Sequence, residues 1–192
     1  MSLTLKVDLV NLELLQDLKK WGLLLKEEKN NHCIFVGIGS NIDRVKNIKS
    51  CIKLIQSKFE DIKISPVYET RSMGFDGPNF YNLVCSFYTF LDLYNLKKNL
   101  NNLELDHGRS LNETKFSSRT LDIDILYYDN LIISNDIIKL PRKEILDYDF
   151  VIQPLTDLAP NFIHPEVKIK HKNILEKEDF EKNIIKKIDF IF

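Results

Sequence analysis

Asp122 and Asp124 stand one residue apart inside the apolar run LDIDILYY, and carboxylates at that spacing point to metal chemistry. In an extended strand side chains alternate, so both aspartates project from one face while Leu121, Ile123 and Ile125 go to the other. Like charges converging at the edge of a low-dielectric core favour the protonated form unless a cation is present. Mg²⁺ resolves that conflict, because it takes one or two carboxylates and completes its octahedron with water and substrate phosphate oxygens. Arg119 lies just upstream, Arg109 before it and Lys115 between them, and cations beside a carboxylate pair suit a polyphosphate. Two plainer readings stay open: both aspartates on the solvent face of an edge strand, or a surface ion network with the two arginines.

Other phosphate-binding motifs are weaker. No G-x-x-x-x-G-K-[ST] sequence occurs, so a P-loop is excluded. Gly37, Gly39 and Ser40 in GIGSN could cradle a phosphate, but the third glycine of a dinucleotide fingerprint is missing, and a tight turn is the expectation.

The elements that must position these residues read as follows. Residues 5 to 26 place Val7, Val10, Leu14, Leu18, Trp21 and Leu25 on one helical face, and KEEKNN then breaks the pattern. HCIFVGIGSN is a strand ending in Gly-Ser-Asn, with Asn41 as N-cap of a helix whose apolar face is Val45, Ile48, Ile52, Ile55 and Phe59. IKISPVYET is a strand, RSMGFDGPN a loop and FYNLVCSFYTFL a second strand. Leu93, Leu96, Leu100 and Leu103 line a helix that stops at His107-Gly108. The order β, α, β, β, α, β predicts an α+β fold, a ferredoxin-like antiparallel sheet with helices on one face. Residues 1–31 form an N-terminal helical extension and residues 32–192 the main domain. Beyond Asn130 the pattern suggests a short strand, a short helix and an apolar turn ended by Pro160, then a terminal strand or helix.

Composition narrows the classes. In 192 residues, 27 lysines and arginines balance 28 aspartates and glutamates, so no global basic field recruits nucleic acid. The three cysteines form no C-x-x-C pair and read as reduced core residues of a cytoplasmic protein. No apolar run approaches the roughly 20 residues that span a bilayer, and the N-terminus lacks signal-peptide order.

FVGIGSN, SPVYET…G…FYNLV, E-L-x-H-G-R…RTLDIDIL and FVIQPLTDLAP follow one another much as in 6-hydroxymethyl-7,8-dihydropterin pyrophosphokinases, the folate-pathway enzymes that this chain resembles. The resemblance covers about residues 32 to 170. It implies transfer of the β,γ-pyrophosphoryl unit of ATP to the pterin hydroxymethyl group, with ATP and the pterin as substrates and neither nucleic acid nor membrane as partner. It assigns two Mg²⁺ ions to Asp122 and Asp124, and charge stabilisation to Arg109 and Arg119. Phe80 and Phe150 would sandwich the pterin, Asn82 would bond its edge, and the backbone at Thr70 would help hold it. Glu104 and Ile125 would join the two arginines around ATP, and Lys115, Arg142 or Lys143 would supply replacement charge there where the chain departs from the family pattern. A metal-polarised hydroxyl near Asp124 stands in for a general base. The N-terminal helix, outside the resemblance, carries an apolar face suited to a homodimer.

The chain departs from the family pattern at Leu111, Phe116, Ser118, Arg142 and Tyr148, around the nucleotide, which predicts altered binding constants more than lost chemistry. Two alternatives remain. A nucleotidyltransferase also pairs Gly-Ser with D-x-D, although about eighty residues separate them here. A non-catalytic ferredoxin-like binding module would show no ATP turnover.

Overall fold

The computed structural model describes residues 31–109, 117–177 and 179–192; the helix expected over residues 5 to 26 lies outside these, as do Leu111, Lys115 and Phe116. Strand β1 (His32–Ser40) is central, paired along its whole length with β4 (Phe80–Thr89) and on its other side with β5 (Asp122–Tyr128). Its side chains enter a core on each face of the sheet, Ile34, Val36 and Ile38 on one and Phe35 on the other, which explains its nearly unbroken apolar sequence. Gly37 and Gly39 therefore sit inside β1, opposite Val84 and Asn82 on β4 and opposite Asp124 and Asp122 on β5. The tight turn expected there does not form, because the ladder continues to Ser40.

Helix α1 (Arg44–Lys58) buries Ile48, Cys51, Ile52 and Ile55 as the periodicity predicts, while Val45 is exposed. Its N-cap is Asp43, in a left-handed conformation, and not Asn41. The single strand expected over IKISPVYET is two, β2 (Glu60–Ile64) and β3 (Val67–Thr70), both on one edge of β4. Pro66 has no N–H to continue the ladder. Ser65 bridges the break, its N–H donating to the Val84 carbonyl and its hydroxyl accepting from the Val84 N–H, each at 2.9 Å. Helix α2 (Leu93–Asp106) is capped by Asp92, whose Oδ1 accepts the Asn95 N–H at 2.9 Å, and buries the four predicted leucines. It ends before Gly108, whose φ of 86° favours glycine.

After β5 come the hairpin strands β6 (Ile133–Ser134) and β7 (Lys139–Leu140), then helices α3 (Glu144–Asp147), α4 (Asp149–Leu158) and α5 (His171–Leu175). Strand β8 (Ile184–Ile188) closes the sheet on β3, giving the antiparallel order β5-β1-β4-β3-β8 with β2 beside β4. Helices α1 and α2 share one face of the sheet as expected. The expectation of helices on that face alone was incomplete. Phe35, Val84, Leu126 and Tyr127 point to the other side and make a second core with Ile145, Ile152, Leu155 and Ile174 from α3, α4 and α5. A register shift between Phe35 and Val36 keeps both Leu126 and Tyr127 on that side. Among the described residues no helix is long and apolar enough to cross a membrane.

Candidate active site

The second face is covered only in part. Beyond the reach of α4 it opens into a cavity of about 440 Å³. Its floor follows from alternation: Phe80, Asn82 and Val84 from β4, Gly37 and Gly39 from β1, and Asp122 and Asp124 from β5 share this side. With no side chains on the two central glycines, an unobstructed strip separates the amide end from the carboxylate end. A Cβ on Gly39 would lie 2.7 Å from Asn82 Oδ1, so this glycine is required by the close approach of the amide. Asn82 Nδ2 donates to Thr70 Oγ1 at 2.8 Å, which orients the amide. Thr70 thus contributes its side chain to the site, where the sequence pointed to its backbone.

Phe80, Asn82, Thr70, Phe150, Arg109, Arg119, Asp122, Asp124 and Arg142 all line this cavity, so the structure brings together nine of the predicted site residues. Glu104 lies beneath it, 4% exposed, and anchors Arg109. Ile125 turns its side chain into the core under α1 and α2, so only its main chain, on the open edge of β5, can meet a ligand. Lys115 lies outside the described residues.

The charges are arranged as two parallel triads. Arg109 pairs with Glu104 and, at 3.1 Å, with Asp122. Arg142 Nη2 pairs with Asp124 at 3.1 Å and Glu144 at 3.2 Å. The ion-network reading is therefore realised for Arg109, with Arg142 as the second arginine, and it lies within the cavity itself, where it coexists with the metal reading. Partial burial in the cavity wall, reinforced by Asp122 alongside, raises the Asp124 carboxyl above the usual carboxylate range; Arg142 and Arg109 oppose that shift. Burial likewise pushes Glu104 up to about 7, against the Ile123 N–H that donates to it at 2.7 Å and the charge of Arg109. Asp122 and Asp124 keep 38% and 49% of their side-chain surface exposed, so two hard oxygen donors stand open to the cavity. That donor set suits Mg²⁺ shared with phosphate oxygens.

Sequence reasoning missed several members. Arg71, Met73 and Phe75 reach in from the loop between β3 and β4, with Phe75 edge-on to Phe80 at 6.3 Å. Glu144 supplies a third cavity carboxylate, and Tyr148, noted only as a departure, stacks on Phe150 at 5.3 Å and 18°. A third aromatic in a Gly-Pro loop was the available signal for Phe75; nothing local marked Glu144. Asn41, which is not the helix cap expected of it, has a different role. Its Oδ1 accepts the Arg119 N–H at 2.6 Å, and its Nδ2 donates to the Pro78 carbonyl at 3.1 Å and Ser118 Oγ at 3.3 Å. One buried amide thus ties both loops flanking the cavity to the end of β1.

Comparisons with known proteins agree with this geometry. Residues 35–160 match the family model for 7,8-dihydro-6-hydroxymethylpterin-pyrophosphokinase. A 2-amino-4-hydroxy-6-hydroxymethyldihydropteridine pyrophosphokinase of Aquifex aeolicus is 35% identical over 69% of this chain and 83% of its own length. A folic acid synthesis protein of Dictyostelium discoideum is 35% identical over 72% of this chain, which spans only 21% of that longer protein. The crystal structure of wild-type Plasmodium falciparum HPPK-DHPS superposes with a TM-score of 0.65 at 14% identity, over 81% of this chain and 46% of that one, and so shares the fold. The extent of the family match and the Aquifex relative establish that this chain belongs to the 7,8-dihydro-6-hydroxymethylpterin-pyrophosphokinase family.

Proposed function

We propose that the chain transfers pyrophosphate from ATP to 6-hydroxymethyl-7,8-dihydropterin, releasing AMP, in folate biosynthesis. The observation that carries this reading is the shared cavity: an aromatic and amide end suited to a flat heterocycle, and a carboxylate and guanidinium end suited to polyphosphate, joined across glycines. The substrate hydroxyl oxygen bonds to the β-phosphorus as the bridge to the α-phosphate breaks, and the hydroxyl proton is lost to solvent. Mg²⁺ at Asp122 and Asp124, two ions in our reading, would neutralise phosphate oxygens and polarise that hydroxyl. Arg109 and Arg119 complement charge on the transferred group. Phe80 and Phe150 bind the two faces of the pterin, and Asn82 its edge.

With β2 and β3 counted as one interrupted strand, the βαββαβ order and the strand order support a ferredoxin-like frame for residues 32–192. The apolar periodicity of residues 5 to 26 supports an added helix that pairs two copies; a strictly monomeric full chain in sedimentation at high concentration would remove that idea. Three unpaired cysteines fit a cytoplasmic setting.

The test is AMP formation from ATP, Mg²⁺ and the pterin, beside Asp122→Asn and Asp124→Asn. Pterin-dependent AMP that falls at least about a hundredfold in both variants is expected. Pyrophosphate as the released product would instead indicate a nucleotidyltransferase, and ligand binding without turnover a non-catalytic module.

A further inference from the structure

Arg142 differs from Arg109 in how it is held. Its Nη2 serves Asp124 and Glu144 at once, at 3.1 and 3.2 Å, while its buried Nε has no acceptor among the described residues. Burying a donor without a partner is unfavourable, so it marks a position that a ligand acceptor would complete. The parallel triad is built differently. Glu104, beneath Arg109, is almost wholly buried and bonded to the Ile123 N–H, so Arg109 rests on a fixed base. Glu144 is 39% exposed on a one-turn helix, and Arg142 is itself about a third exposed to the cavity. Its main chain is fixed, the N–H donating to the Leu126 carbonyl at 3.1 Å, so motion is confined to the side chain.

We propose that Arg142 is an exchangeable counter-cation. Without metal it neutralises Asp124. When a divalent cation takes Asp124, Glu144 retains the guanidinium at the cavity wall, and its free donors pass to a phosphate oxygen of the incoming nucleotide. Arg142 then makes metal binding weak in the absence of nucleotide and couples the two ligands, since each relieves a cost that the other would otherwise meet. This rests on the reading of Asp124 as a metal ligand given above.

The measurement is Mn²⁺ affinity of the nucleotide-free full chain, read from free-ion paramagnetic resonance, with no turnover required. Arg142→Met should bind Mn²⁺ about tenfold more tightly than the unaltered chain. It should also bind the Mn²⁺ complex of a non-hydrolysable ATP analogue more weakly. Arg142→Gln serves as a second variant, with near-ultraviolet circular dichroism confirming the fold of each. Arg71→Ala removes another cavity cation, one with no ion pair to either aspartate, and should change Mn²⁺ affinity by less than about threefold. An equal gain in Arg71→Ala would reduce the effect to general field and overturn the exchange, as would unchanged or weaker Mn²⁺ binding in both Arg142 variants. Mn²⁺ binding indifferent to Asp124→Asn would remove the metal reading itself. Loss of AMP formation with the Mn²⁺ pattern intact would instead count against the proposed reaction and leave the exchange standing.

Discussion

The two faces of the sheet are built from the same strands and yet behave oppositely. Under α1 and α2, Ile34, Val36, Ile38, Leu83, Cys85, Phe87, Ile123 and Ile125 meet helical aliphatic side chains, and that side is closed. On the other side, the alternate positions of the same three strands carry glycine, asparagine and aspartate wherever α4 does not reach. β5 shows the contrast within one strand, since Ile123 and Ile125 are buried while Asp122 and Asp124 face the cavity. The difference teaches that this fold spends one face on stability and keeps part of the other open for ligands. Close-packed aliphatics stabilise through burial, whereas converging carboxylates and an unfilled cleft do not.

The division can be broken at its strongest point first. Leu100→Ala on the helical face should destabilise by about 2–5 kcal/mol in denaturant titration, with turnover per folded molecule preserved. A large loss of specific activity without loss of stability would mean that the helical face serves the site directly. Phe80→Ala on the open face should do the converse, raising the KM for pterin by roughly ten- to a hundredfold with a small change in melting temperature, because the ring is only half-buried. A KM shift for ATP instead would assign Phe80 to the wrong substrate.

Asn41→Ala tests the join between the two regions. It leaves the Arg119 N–H without its acceptor and should cost about 1–3 kcal/mol. It should also raise the KM of both substrates, since the amide holds a loop on each side of the cavity. An effect on one substrate alone would show that the loops act separately.

The smallest expected effect sharpens the boundary between the faces, where Glu104 sits on α2 beneath the cavity. Its folded value of about 7 lies above the ordinary 4.5, so the folded chain holds this proton more tightly than the unfolded one. The stability it contributes is full below about pH 4.5 and is lost as pH rises to about 7, at no more than about 1.4 kcal/mol per pH unit. Glu104→Gln should flatten that slope in thermal melts across the same window, and parallel slopes would refute the assignment.

Much of this was legible in the chain. Leu93, Leu96, Leu100 and Leu103 announced α2 because helical burial repeats every three to four residues. The D-x-D pair announced a carboxylate face because strand alternation is fixed by covalent geometry, whatever the strand's neighbours. Gly37 and Gly39 misled for the complementary reason: glycine fits a turn or a strand floor equally, and pairing with β4 and β5, remote in sequence, selects between them. Asn41 likewise has a short-range use as a cap and a long-range use as a tie to Pro78, Ser118 and Arg119, and the long-range one prevails.

By itself, then, the sequence determined the local periods, the order of elements through β5 except for the break between β2 and β3, and the residue types that hold charge, because each depends on neighbours within a few positions. Only the tertiary structure decided that α3, α4 and α5 cover part of the second face, that Phe75, Tyr148 and Glu144 enter the cavity, and that each aspartate meets an arginine held by a glutamate. Those outcomes depend on which distant segments pack together, and no spacing along the chain encodes a contact between separate elements.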